Sequence, residues 1–194
     1  DKLPFPAYHL LPDFPNGYKP HPPRGSFRRI WTSLIRSRGC PFNCAYCCRD
    51  ASFGRTYRFN SSDYVIKLIK YLHDKYDISE ITFYDDVFTC NRKETMKLLN
   101  ALLPENLGFS LSWDCETRVD LVDPELFSAM KKAGCQILAF GIEHGVWIKE
   151  IKGGQATLEQ AEKALRWAHE AGLKSIGYFM IGLPTETFED LDEI

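Results

Sequence analysis

Cys40, Cys44 and Cys47 stand at the spacing Cys-x-x-x-Cys-x-x-Cys within one stretch, Cys40-Pro41-Phe42-Asn43-Cys44-Ala45-Tyr46-Cys47-Cys48. So short a loop can turn three sulfurs toward one centre but cannot easily enclose it. Three thiolates on a cubane iron–sulfur cluster satisfy three irons and leave the fourth without a protein ligand. Clusters that serve electron transfer are held by four cysteines. An open metal position is where a substrate can bind, the logic that separates catalytic from structural zinc. The competing readings are a zinc knuckle and a set of free thiols. A structural zinc wants four well-separated ligands, and only the adjacent Cys48 offers a nearby fourth thiol. The cluster reading is therefore favoured, with Cys48 an alternative to Cys47 because Cys44-x-x-x-Cys48 is also short. Cys90, Cys115 and Cys135 read as small core residues.

The rest of the chain must position that loop. At 194 residues it suits one domain with a sizeable core. Hydrophobic content of 44% and charged content of 26% are those of a soluble globular protein. A net charge of −2 argues against a nucleic-acid surface, and no apolar run approaches a membrane span. Seven cysteines, four of them within residues 40–48, make a poor disulfide framework. Metal or redox use in a reducing compartment, the cytoplasm, fits better. The chain begins at Asp1 rather than Met, which leaves a missing natural N-terminus open.

Residues 1–30 differ in composition from the remainder of the chain. Seven of the eleven prolines lie in the first 23 residues, which predicts an extended segment. Its aromatics (Phe5, Tyr8, Phe14, Tyr18) make it a strap packed on the domain or a connection to a partner domain. Arg24, Arg28, Arg29, Arg36 and Arg38 make the approach to the cysteines basic, chiefly as a solvated face.

From Ile30 an alternation of strands and helices begins. Strands are predicted over 30–35, 78–84, 109–113, 136–142 and 174–181. The intervening helices start at Ser61-Ser62, Asn91, Asp123-Pro124 and Thr157, each with a capping residue. Gly134 and Gly172 end the third and fourth helices, and a fifth helix starts near Thr185. Units of this kind imply a parallel sheet with crossover helices. The near-continuous apolar fourth and fifth strands suit a sheet buried on both faces. Without a Rossmann glycine fingerprint, the expectation is an α/β fold, a partial (β/α) barrel that stops just after its fifth strand. Function then belongs at the C-terminal strand ends. Those ends carry the three cysteines, Asp85 and Asp86, Glu116 and Arg118, Glu143 and His144, and Gly182-Leu183-Pro184.

These residues resemble the radical S-adenosylmethionine (radical SAM) superfamily over nearly the whole chain. The marks are Arg38-Gly39-Cys40-Pro41-Phe42-Asn43-Cys44-Ala45-Tyr46-Cys47, Phe140-Gly141-Ile142-Glu143 and Met180-Ile181-Gly182-Leu183-Pro184-Thr185-Glu186. Leu3-Pro4-Phe5-Pro6, Asp85-Asp86-x-Phe88 and Arg118-Val119-Asp120 look most like the cobalamin-dependent branch. The resemblance implies a 4Fe–4S cluster on Cys40, Cys44 and Cys47. The family's aromatic residue before the third ligand is Tyr46, which selects Cys47 over Cys48 and packs toward the adenine. It implies that one of Asp85 and Asp86 meets the SAM ammonium, against a plain reading as turn residues. The Gly-Gly-Glu form of many relatives is absent here. It implies Arg118 on the SAM carboxylate, against a surface salt bridge, and Glu143 on the ribose or methionine part. Ile181 and Gly182 would bring backbone near the adenine, while His144 reads as a surface histidine.

The resemblance further implies that the reduced cluster cleaves SAM to methionine and a 5′-deoxyadenosyl radical, which activates an unreactive C–H bond. In this branch the outcome is methyl transfer assisted by cobalamin, held by a domain outside this chain. Residues 1–30 would then be the linker or strap after that domain, and residues 31–194 the core, incomplete at its C-terminus. A radical cyclase or rearrangement enzyme is the runner-up, and a non-catalytic iron–sulfur or zinc module the alternative from another class. Expected partners are a small-molecule substrate, with Trp113 and Tyr178 as pocket candidates, and a reductant such as a ferredoxin or flavodoxin.

Overall fold

The computed structural model of the chain describes residues 1, 3–19, 30–48, 51–145 and 147–192. Arg24, Arg28, Arg29 and the second proline cluster lie outside them. In chain order the elements are β1 (Trp31–Leu34), β2 (Ser37–Arg38), β3 (Arg58–Phe59), α1 (Ser62–Tyr76), β4 (Glu80–Phe83), α2 (Arg92–Leu102) and α3 (Pro104–Leu107). Next come β5 (Ser112–Thr117), α4 (Pro124–Lys132), β6 (Cys135–Glu143), α5 (Ile148–Ile151), α6 (Leu158–Glu170), β7 (Lys174–Phe179) and α7 (Phe188–Leu191).

Five strands form one parallel sheet in the order β1-β4-β5-β6-β7. This is the expected partial (β/α) barrel, and parallel pairing brings every C-terminal strand end to the same edge. Helix α1 packs on α2, α2 on α4 and α4 on α6. Their starts are fixed where the capping residues predict. Ser61, Asn91 and Asp123 accept from the amides of Tyr64, Glu94 and Leu126, and Thr157 forms a reciprocal box with Gln160. Each such cap contributes about 1 kcal/mol.

The expected third strand, 109–113, is displaced: pairing runs over Ser112–Thr117. Gly108 closes α3 in the left-handed region at φ 94°. Phe109 then stacks on His73 at 3.6 Å instead of pairing in the sheet. The strand's continuation carries Asp114, a carboxylate whose polar place in the alternation reads as outward-facing but which is buried within the sheet. Its burial is explained by a chain of donors across three strands. Trp31 Nε1 donates to Thr82 Oγ1 (2.9 Å), whose hydroxyl donates to Asp114 Oδ2 (2.6 Å). Buried polar groups persist when they are satisfied in this way.

β7, which its sequence suggests is buried on both faces, is largely exposed, including Tyr178 and Phe179. It has only β6 as a neighbour among the described strands. The short antiparallel pair β2–β3 is not legible in the sequence, because two-residue strands carry no periodicity. Residues 1–19 are not wholly extended either, since Tyr8–Leu10 makes a 3₁₀ turn. Phe5 packs on Tyr64 and Tyr71, and Phe14 meets Tyr76 edge-on at 5.0 Å, so this segment lies along α1. Among the described residues no helix is long and apolar enough to cross a membrane.

Candidate active site at the C-terminal strand edge

The cysteine loop hangs from the end of β1 on a buried ionic latch. Asp85 accepts from the Arg36 amide (2.7 Å), from Arg36 Nε (3.2 Å) and from Ser37 Oγ (2.7 Å). Arg36 also donates to the Phe88 carbonyl at 2.6 Å and lies over the Phe88 ring. Both charged side chains are almost fully buried, and a buried charge persists only when paired and hydrogen-bonded. Asp85 is therefore committed to holding β1 against β4's exit and does not line the cleft that the cysteines share. Of the two acids expected at this edge, Asp86 is the one that faces the cleft. Its Oδ2 accepts from the Gly39 amide at 2.9 Å.

Gly39 is a glycine by necessity. Its φ is +88°, and a Cβ there would stand 2.2 Å from the Thr56 carbonyl oxygen. The Cys40 amide donates to the Gly54 carbonyl at 3.1 Å. The chain from β2 to β3 thus folds back on the start of the cysteine loop. The far side of the loop rests on α5: the Ala45 amide donates to the Ile151 carbonyl at 2.9 Å. A Cβ on Gly153, at φ +69°, would lie 2.7 Å from the Asn43 carbonyl oxygen.

Cys40, Cys44 and Cys47 line one cleft of about 170 Å³ together with Tyr46, Asp86, Arg118, Glu143, Lys152 and Tyr178. Cys48, although exposed, is not among its lining residues. Wider hollows of about 330 and 380 Å³ lie between α2 and α4 and between α4 and α6, away from every cysteine of the loop. Burial pushes the Cys40 thiol above its ordinary value, opposed by a hydrogen bond from the Phe42 backbone. Among the described residues no three His, Cys, Asp or Glu side chains converge as ligands of one ion. The three thiols share one cleft, and thiolates are the protein ligands of iron–sulfur clusters.

In the same cleft Glu143 ends β6 in the left-handed region, φ 71°, beside an irregularity in its pairing with β7. That turn aims its carboxylate inward. Tyr46 Oη donates to Glu143 Oε1 at 2.5 Å, and Lys152 Nζ donates to the same oxygen at 2.7 Å and to Tyr46 Oη at 3.2 Å. Burial, then the hydrogen bond to Glu143 and its charge, hold the Tyr46 hydroxyl well above the ordinary tyrosine range. Gly141 leaves room for this cluster, since a Cβ there would come within 2.3 Å of Glu143 Oε1. Lys152 is not singled out by the sequence. Its only signal is a lysine leading into Gly153-Gly154 directly after the apolar Ile151.

Arg118 comes directly after β5 and is buried. Its Nε and Nη2 donate to the two oxygens of Asp120 at 2.8 and 2.9 Å, and its Nη1 donates to Cys44 Sγ at 3.4 Å. His144, expected at the surface, is fully buried. It stacks on Trp147, accepts from the Trp147 amide at 3.2 Å and sits 3.1 Å from Glu186 Oε1. Glu186 Oε2 accepts from the Gly182 amide at 2.6 Å, so this contact joins the exits of β6 and β7. Ile181 is 75% exposed, and neither Ile181 nor Gly182 lines the cleft. Tyr178 does line it, whereas Trp113 is core, packed against Phe83 and Phe88.

A family model described as the Radical SAM superfamily matches residues 34–194. The chain is 37% identical over 194 residues to the "Uncharacterized methyltransferase PH0819" of Pyrococcus horikoshii, covering 99% of this chain and 40% of the relative. It is 30% identical over 160 residues to the "Anaerobic magnesium-protoporphyrin IX monomethyl ester cyclase" of Rubrivivax gelatinosus, covering 81% of this chain and 28% of the relative. The chain thus spans well under half the length of these curated relatives. Among solved structures it is similar to the radical S-adenosylmethionine methyltransferase TsrM of Kitasatospora setae, with cobalamin and a 4Fe–4S cluster bound. There the TM-score is 0.74 at 22% identity, covering 84% of this chain and 31% of that one, a likeness of fold.

Proposed function

The chain belongs to the radical SAM superfamily, and from that premise we propose that it is the core of an enzyme that binds SAM at a 4Fe–4S cluster for cobalamin-dependent methyl transfer. The observation that carries this reading is the shared cleft. Three thiols, Asp86, Tyr46, Arg118 and Glu143 meet there at the C-terminal ends of parallel strands. Cys40, Cys44 and Cys47 would hold the cluster, which supplies one electron to split the SAM carbon–sulfur bond into methionine and a 5′-deoxyadenosyl radical. The chain's own residues bind, orient and exclude water. Asp86 offers an acceptor toward the SAM ammonium while it steadies Gly39. Tyr46 offers its ring to the adenine, its hydroxyl fixed by Glu143. Glu143 presents its second oxygen, Oε2, to the ribose or methionine part.

Cobalamin would come from a further domain, with residues 1–30 as the strap that joins it, and a ferredoxin or flavodoxin would supply the electron. The similarity to a methyltransferase at 37% identity favours methyl transfer. A cyclase-type outcome on the same scaffold is the second reading, favoured by the relative at 30% identity. The test is anaerobic reconstitution of the protein with iron and sulfide. Reductant-dependent release of 5′-deoxyadenosine or S-adenosylhomocysteine supports the enzyme. Bound zinc with no SAM turnover would sink it and leave a non-catalytic module. Transfer of an isotopically labelled SAM methyl group into the product separates the two enzymatic readings.

A further inference from the structure

Resting on the proposal that the three cysteines hold a cluster, we propose that Arg118 is a positioning residue for the Cys44 thiolate. It donates to that sulfur, fixes the ligand's place and raises the reduction potential of the cluster. The argument is one of donor accounting. A guanidinium has five N–H groups in a rigid plane. The edge formed by Nε and Nη2 is taken by Asp120, at 2.8 and 2.9 Å. Nη1 points at Cys44 Sγ, 3.4 Å away. Three of the five N–H groups are thus committed, and the donor aimed at Cys44 belongs to a guanidinium already anchored at Nε and Nη2.

The plane is held from a third direction, because the guanidinium carbon lies 4.0 Å from the centre of the Phe42 ring. Phe42 belongs to the cysteine loop itself, so the contact ties the orientation of Arg118 to that of Cys44. The Arg118 and Asp120 side chains are only 6% and 8% exposed, which leaves little water to screen the charge. A hydrogen bond and a positive charge at a ligand sulfur favour the more negative, reduced cluster. Hydrogen bonding to the sulfurs is among the factors that set such potentials. Asp120 moderates the effect through its own charge, yet it is also what aims Nη1 at the thiolate.

The experiment compares wild type, Arg118→Met, Arg118→Lys and Asp120→Asn after anaerobic reconstitution. Iron and sulfide are assayed first, then the cluster is titrated electrochemically with EPR detection in the absence of SAM, and SAM affinity is measured separately. Arg118→Met should lower the reduction equilibrium about tenfold, a shift of about 59 mV to more negative potential for one electron. Arg118→Lys should fall between Met and wild type, because it keeps the charge and loses the fork. Should Arg118→Met fail to retain the cluster, the shift is read from Arg118→Lys, expected negative of wild type, and from Asp120→Asn, which removes the moderating charge and is expected positive of it. Potentials unchanged in every cluster-bearing variant overturn the proposal. So does a tenfold loss of SAM affinity in Arg118→Met at unchanged potential, which returns Arg118 to the carboxylate. Wild type that takes up no iron sinks the cluster reading itself, and the metal assay reveals this before any potential is measured.

Discussion

Lys152 Nζ and Glu143 Oε1 face each other at 2.7 Å, with side chains only 5% and 9% exposed, in the cleft that the three cysteines also line. Removing one partner of such a pair leaves a buried charge uncompensated, which costs about 3–5 kcal/mol. Lys152→Met should therefore destabilise the apo protein by that order in urea denaturation. The double variant Lys152→Met/Glu143→Gln should recover much of the loss. A double variant no more stable than Lys152→Met would show that the two charges are not coupled.

Asp85 and Asp86 are adjacent and should behave oppositely. Asp85→Asn breaks the buried latch to Arg36 and should cost about 3–5 kcal/mol of folding stability. Asp86→Asn keeps an oxygen for the Gly39 amide and should change stability by less than about 1 kcal/mol. Its effect should appear in weakened SAM binding. Denaturation curves and ligand titrations on the two variants check both halves.

Cys47 lines the cleft and Cys48 does not. Cys47→Ala should lose the iron and the broad charge-transfer absorption of the reconstituted protein, while Cys48→Ala keeps both. The reverse outcome would move the ligand register by one residue.

Alkaline stability should report on Tyr8, which burial foremost, and Tyr64 and Tyr71 less, push from 10.0 up to about 12. The neutral hydroxyl is the form the fold favours. This contribution is therefore complete below pH 10.0 and is lost as pH rises through about 12. Tyr46 is raised in the same direction. Tyr8→Phe should flatten the fall of stability across that window, as measured by urea denaturation at successive pH values. A slope identical to wild type would mean that Tyr8 titrates normally.

Much of the architecture is legible in local signals. Ser61, Asn91, Asp123 and Thr157 announce helix starts because an unpaired first-turn amide needs an acceptor, and each makes that bond. What escapes a sequence depends on partners distant along the chain. Asp114 resembles a strand terminator because its acceptance from Thr82 on β4 is invisible from its neighbours. Asp85 looks equal to Asp86 until Arg36 and Ser37 claim both its oxygens. Lys152 gives no periodicity, and His144 resembles a surface residue because neither its Trp147 stack nor the Glu186 contact can be foreseen.

The cysteine loop draws its supports from residues both near and far downstream in the chain. Gly54 and Thr56 lie a few residues downstream, whereas Tyr46 and Glu143 are separated by 97 residues. During synthesis at about 5–20 residues per second, that separation is roughly 5–20 s of elongation. For that interval the nascent thiols have emerged without the wall that later backs them. Cofactor delivery to the emerging polypeptide would meet a half-built receptacle, so maturation belongs after β6 and α5 have been made. A metal ion captured earlier would meet the thiols before Glu143, Ile151 and Lys152 can shape their surroundings.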